Sequence, residues 1–413
     1  MSQPNRIHLF QGYGVELEYM IVDRDTLKVR PIADEVLKHE LGTYGSDFEN
    51  GMVTWSNELV CHVIELKSSR PEANFSELNQ AFADNIKRIN NILSSHNAML
   101  MPTAAHPFMD PIKETKLWPH DNNDVYAVYN RIFDCKGHGW SNLQSTHINL
   151  PFYDDEEFAK LHAAIRLILP ILPALTASSP ILESKFTGLL DTRLQYYKTN
   201  QIQIPCIVGK VIPEAVFSKR TYLNTIYEKI KTEIAVYDTE HVLDPIWVNS
   251  RGAIPRFDRG SIEIRILDVQ ECPAADLAIS SLVIETIKAL VAGKFISHEE
   301  QMKWKTESLA SIYEQCVIHA EQTKIENAEY LSVFGFGKST ATATELWTHI
   351  YQKLAMQNTK LEPWRTAIET ILEEGSLATR ILKSIGEDIS DDSIVNTYQK
   401  LAYCLAQNKI FIP

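Results

Sequence analysis

GVELEYMIV, residues 14–22, is the stretch that decides the fold. Val15, Leu17 and Tyr19 alternate with Glu16 and Glu18, so a strand sends the apolar side chains to one face and both carboxylates to the other. The same economy recurs far along the chain. STHINL, residues 145–150, places Ser145, His147 and Asn149 together. SIEIRILD, residues 261–268, turns Ile262, Ile264 and Ile266 inward and leaves Glu263 and Arg265 on the opposite face. ELVCHVIELKS, residues 58–68, is rich in β-branched residues but less regular, and it carries Glu58 and Glu65.

One strand with charges on a face reads as a wetted sheet surface. Three such strands sharing a sheet make a polar wall of Glu16, Glu18, Glu263 and His147. Unpaired carboxylates so close repel and raise one another's pKa. Divalent cations relieve that repulsion, and hard oxygen ligands suit Mg²⁺ or Mn²⁺. Zinc fits less well, because no cysteine accompanies the histidine at ligand spacing. Arg265, beside Glu263, is either a counter-ion or a bidentate holder of phosphate. NSRGAIPRFDR, residues 249–259, adds Arg251, Arg256 and Arg259, read as an anion site with solvated loop charges as the plain alternative. No GxxxxGK[ST] and no strand–GxGxxG–helix pattern is present, so a nucleotide would be held by metals and arginines.

The 413 residues carry a net charge of −13, which argues against nucleic acid or an anionic membrane as the main partner. The apolar run at 165–175 is too short to span a bilayer and contains Pro170 and Pro173. No secretory leader pattern opens the sequence, and the six cysteines stand singly; a reduced, cytoplasmic enzyme is expected. Cys61 and Cys135 read as small buried hydrophobes, and His106 as a turn residue fixed by Pro107. Strand-like runs alternate with helices at 74–95 and 155–169 as far as residue 295. Beyond it, helical patterns at 299–321, 341–355, 362–374 and 391–406 take over, punctuated by Gly375 and Gly386. The expected division is a catalytic sheet region at 1–295 with a helical region at 296–413 packed on it.

Seven motifs in order resemble the glutamate–cysteine ligase family, in its shorter branch that includes the bacterial carboxylate–amine ligases. They are GVELEYMIV, the 58–65 segment, AHPFMD at 105–110, STHINL, ASSP at 177–180, GLLDTR at 188–193 and SIEIRILDVQECP at 261–273, with a weaker echo in GSLATRIL at 375–382. The resemblance implies an α+β fold like that of glutamine synthetase, a curved antiparallel sheet forming an ATP and metal funnel with helices outside. It implies that ATP phosphorylates the side-chain carboxylate of glutamate and that an amine, that of cysteine in the namesake, attacks the acyl phosphate. By resemblance Glu16, Glu18, Glu58, Glu65, His147 and Glu263 hold metal. Arg265, Glu263 and His147 are the catalytic candidates; Arg265, His147, Arg251 and Arg256 those for the nucleotide; Arg193 that for the acid substrate.

The chain departs from the family where His-x-His reads His147-Ile148-Asn149, since Asn149 cannot carry a proton. Glu58 and Glu65 have opposite parity, so both face the metals only through a bulge or if one lies beyond its strand, and Lys67 stands ready to pair with Glu65. Small-molecule acid and amine partners follow, and a homo-oligomer is compatible with them. A phosphotransferase of the guanidino-kinase type and an inactive binding protein on the same fold are the rival readings.

Overall fold

The computed structural model describes residues 6–121, 123–356 and 358–413. Eight strands build its main sheet: β1 (Gly14–Asp23), β2 (Asp47–Asn50), β3 (Val53–Asn57), β4 (Val63–Ser68), β5 (Ala98–Met101), β6 (Ser145–Pro151), β7 (Ala253–Arg256) and β8 (Ser261–Asp268). Their order is β2-β3-β4-β1-β6-β8-β7, every neighbour antiparallel. The long β1 is shared along one side: β6 pairs with Gly14–Leu17 and β5 with Met20–Asp23. The α+β architecture follows from the alternation in β1, β6 and β8, which gives the sheet one apolar and one charged face.

Val15, Leu17, Ile148, Leu150, Ile262 and Ile264 fill the apolar face and are fully buried. Behind them lie the adjacent helices Phe75–Ser94 and Pro273–Val291. The first is capped by Asn74, whose side chain accepts the Ser76 N–H at 3.1 Å, and shows the sheet a stripe of Leu78, Phe82, Ile86, Ile89 and Leu93. The second opens with Pro273, which lacks the N–H that the first turn cannot satisfy, and is buried almost all round.

The run expected as one helix at 299–321 is two, His298–Met302 and Thr306–His319, the former capped by Ser297. The later helices bond directly to the sheet-bearing part. Tyr330 Oη donates to the Leu167 carbonyl at 2.6 Å and Trp347 Nε1 to that of Ile171 at 2.8 Å. Helices Leu377–Ile385 and Asp391–Gln407 bury Ile381, Ile394, Tyr398 and Leu401 against Met20, Val22 and Met101. A fully buried ion pair, Arg380 with Glu271, takes in the chain near its end: Glu271 accepts the Phe411 N–H at 3.0 Å and Arg380 donates to the Phe411 carbonyl at 2.7 Å.

His106 is buried, not merely a turn residue. Its Nε2 donates to the Leu27 carbonyl at 2.7 Å and its Nδ1 accepts the Phe108 N–H at 3.0 Å, which defines a neutral ring. Burial lowers its pKa to about 4. The unfolded chain therefore binds a proton below about pH 6.5 that the folded chain refuses until about pH 4, and the stability held above pH 6.5 is lost through that window. In urea titrations, the stability advantage of wild type over His106→Asn should shrink as pH falls from 7 to 4.5. A constant difference would show that the ring is not buried neutral.

Candidate active site: an acidic wall across four strands

Strand register places the charged side chains in cross-strand rows. Ser56, Glu65 and Glu18 stand opposite one another across β3, β4 and β1, and Thr54, Lys67, Glu16 and His147 form the next row, reaching β6. Ser145 extends the first row, its N–H and hydroxyl donating to Glu18 Oε2 at 2.7 and 3.0 Å. Close approach matters at Gly14, whose register partner is Asn149: a Cβ there would lie 3.0 Å from that of Asn149. Without one, the Asn149 amide donates to Glu16 Oε1 at 2.8 Å.

Two groups in the wall have ligand atoms within 4.8 Å of one another: Glu16, Glu65 and His147, and Glu18, Glu58 and Glu65. Glu65 belongs to both. Glu58 reaches the wall because it lies past the end of β3, which resolves its parity conflict with Glu65. Burial and the Glu16 carboxylate raise Glu65 to about 7, although Lys67, 3.3 Å away, opposes the shift. Burial, Glu18 and Glu65 push Glu58 well above the usual carboxylate range. Burial works in the same direction on Glu16, but His147, Lys67 and Asn149 outweigh it and hold it at about 2. Excess negative charge on buried oxygens is the chemistry a hard divalent cation satisfies, so these groups fit one.

His147 has another duty here. Its Nδ1 meets Glu16 Oε2 at 2.9 Å and its Nε2 meets Ser145 Oγ at 2.9 Å. Because the Ser145 hydroxyl donates to Glu18, the ring must donate at both nitrogens. Burial disfavours that charge, yet Glu16 and Glu18 overcome it and raise the histidine's pKa. His147 thus ties two carboxylates together as a cation. To ligate metal it would have to release a proton.

Glu263 is placed outside both groups. It is held between two guanidinium groups, Arg256 Nε to Oε2 and Arg265 Nε to Oε1, each at 3.1 Å. Arg256 reaches it because residues 253–256 form edge strand β7, not a loop, hairpinned to β8 through Gly260 at φ 73°. The expected cluster of arginines is not assembled. Arg251 is buried, forked on Glu214 at 2.6 Å through both Nε and Nη2, and bonded through Nη1 to the Cys206 and Ile207 carbonyls. It braces the 206–214 segment and does not join the wall. Arg259 is exposed beside Asp258. Arg193 is buried, ion-paired with Asp268 at 3.3 Å.

Asp268 escaped the sequence reading. Strict alternation assigns it to the apolar face, but β8 carries one extra residue between Ile264 and Leu267. Beyond that bulge parity flips, and Asp268 stands opposite Ser145 on the charged face. An aspartate on an otherwise apolar side was the available signal, since an unpaired buried charge is costly. Asp191 is its neighbour; burial and Asp268 push it well above the usual carboxylate range.

The family description "glutamate-cysteine ligase family 2 (GCS2)" matches residues 13–400. An uncharacterized protein of Archaeoglobus fulgidus is 33% identical over 402 residues, 97% of this chain and 100% of that one. A Bradyrhizobium protein provisionally named glutamate–cysteine ligase 2 is 26% identical over 66% of this chain and 60% of its own length. The bifunctional glutathione synthetase of Pasteurella multocida shares the fold with a TM-score of 0.65 at 14% identity; the match covers 97% of this chain and 53% of that one. The glutamate–cysteine ligase of Francisella tularensis, solved with AMP, shares it at 0.57 and 12% identity, over 98% of this chain and 89% of that one. A family match that takes in every strand of the wall leaves one conclusion: the chain belongs to glutamate–cysteine ligase family 2, a family of ligases.

Proposed function

We propose that this ligase forms a γ-glutamyl amide, with glutamate as the acid and cysteine as the first candidate amine. The observation that carries the reading is Glu65, shared by the clusters Glu16–Glu65–His147 and Glu18–Glu58–Glu65 on the face that also presents Arg265. Glu16, Glu18, Glu58 and Glu65 would hold Mg²⁺ or Mn²⁺, whose chemistry is to neutralise phosphate charge. Arg265 offers a planar fork to the phosphoryl group in flight. A carboxylate oxygen of the acid displaces ADP from the γ-phosphorus. The amine nitrogen then attacks the acyl carbon, inorganic phosphate leaves, and the nitrogen gives up a proton. Asn149 has no part in that proton's path, because its amide does not titrate.

A panel of amino acids and amines, scored by phosphate release and product mass, tests the reading. With glutamate labelled by ¹⁸O in its side-chain carboxylate, one labelled oxygen should leave in the phosphate. Label retained wholly in the product would exclude the acyl phosphate. Phosphorylated product without an amine requirement would favour the phosphotransferase.

A further inference from the structure

Resemblance gives Arg193 to the acid substrate; its surroundings give it a different task. Its Nη2 donates to the Arg265 carbonyl at 2.8 Å, and its Nη1 to the Leu267 carbonyl at 3.4 Å and Asp268 Oδ1 at 3.3 Å. Those acceptors straddle the β8 bulge, where slipped register disrupts the ladder to β6. We infer that Arg193 is a positioning residue that clamps the bulge and so aims Arg265, rather than a holder of the acid substrate. The inference rests on the proposed role of Arg265.

The clamp is built from three sequence motifs that close on one another. The Arg193 N–H donates to Ser179 Oγ at 3.0 Å; that hydroxyl donates to Asp268 Oδ2 at 3.0 Å, as does the Ser178 N–H at 2.9 Å. Asp191 caps the helix Thr192–Thr199 that carries Arg193, its Oδ1 accepting the Leu194 N–H at 3.0 Å. One turn further on, the Tyr197 ring lies 5.8 Å from the guanidinium, and its hydroxyl donates to the Arg251 carbonyl at 3.3 Å. Segments 177–180, 188–193 and 261–268 are therefore one hydrogen-bonded unit. Arg193 is only 2% exposed, which leaves it little surface for a ligand. Its Nε–H, buried without a partner, is the donor a substrate carboxylate could claim, and this is what the experiment must decide.

Steady-state kinetics of Arg193→Gln, Arg265→Lys and the double variant separate the two tasks. Arg193→Gln should lower kcat by about 10- to 100-fold, the scale of a misplaced reacting group, with KM for the acid within about three-fold of wild type. The double variant should be hardly slower than Arg265→Lys alone, because both changes disable one device. A rise in acid KM with kcat preserved, or fully additive losses, would overturn the inference. If Arg193→Gln does not fold, Asp268→Asn, which keeps shape but weakens the clamp, should give the same kcat-only loss, and an acid-KM effect there would count equally against it. Wild-type kcat in Arg265→Lys would remove the proposed role of Arg265 and the inference with it. A slow Arg265→Lys beside an Arg193→Gln that changes only acid KM would remove the inference alone.

Discussion

Glu65→Gln should abolish nucleotide turnover, by at least about 10³-fold, while leaving the protein folded. Among the described residues no other serves both clusters, so neutralising it removes a carboxylate from each. Glutamine keeps the length of the side chain and can still accept from Ser56 Oγ, which now meets Glu65 Oε2 at 2.5 Å. The stability effect has a definite sign. A folded-state pKa of about 7, raised from 4.5, means that Glu65 favours the metal-free fold while protonated and that this benefit is lost as pH rises through 7. At pH 8, then, metal-free Glu65→Gln should melt no earlier than wild type. Metal affinity of the wild type should weaken below pH 7, where binding must displace the proton. Near-normal turnover, or inactivity explained by unfolding, would show that Glu65 has been assigned wrongly.

Arg265→Lys should bind ATP within a few-fold of wild type yet turn over about 10²–10³-fold more slowly, the loss expected for one transition-state contact. Lysine keeps the charge and gives up the bidentate fork. A counter-ion role predicts something else, normal turnover with any loss confined to stability, where lysine, lacking the fork, pairs less well with the buried Glu263. That role is already duplicated, since Arg256 holds the other oxygen of Glu263 at 3.1 Å. Burial opposes the Arg265 charge, but Tyr197, Glu263 and Glu18 raise its pKa, so the arginine is a fixed cation at any working pH. The comparison needs ATP affinity, kcat and melting temperature from one preparation. Early melting with normal turnover in the folded fraction would return Arg265 to the counter-ion role.

Much of the wall was legible because strand alternation is a local property. Glu16, Glu18 and His147 sit on the face that their spacing dictates, and register then brings β1 and β6 together. What alternation cannot show is where it breaks. The extra residue in β8 moved Asp268 to the charged side, and the position of Glu58 past β3 let two residues of opposite parity meet. Partner choice was also beyond the sequence. Arg251 and Arg256 are five residues apart, yet one forks on Glu214 and the other pairs through Nε with Glu263, because only the second lies on the charged face of β7. His147 carried a similar ambiguity: a histidine among glutamates reads as a ligand, and only the Ser145 hydroxyl, committed to Glu18, shows it as a donor at both nitrogens.

Glu271 follows the last residue of β8 by three positions, and its buried carboxylate is satisfied by Arg380 and the Phe411 N–H. During synthesis from the N-terminus, the wall strands emerge first and leave that carboxylate without its guanidinium for more than a hundred residues of elongation. A solvated glutamate at this point keeps the end of β8 open to water, since burying it unpaired costs several kcal/mol. The stretch just after β8 therefore closes to water only when Arg380 and residue 411 have docked. A chain released short of that residue would carry every acidic residue of the wall and still lack the partner that closes the end of β8.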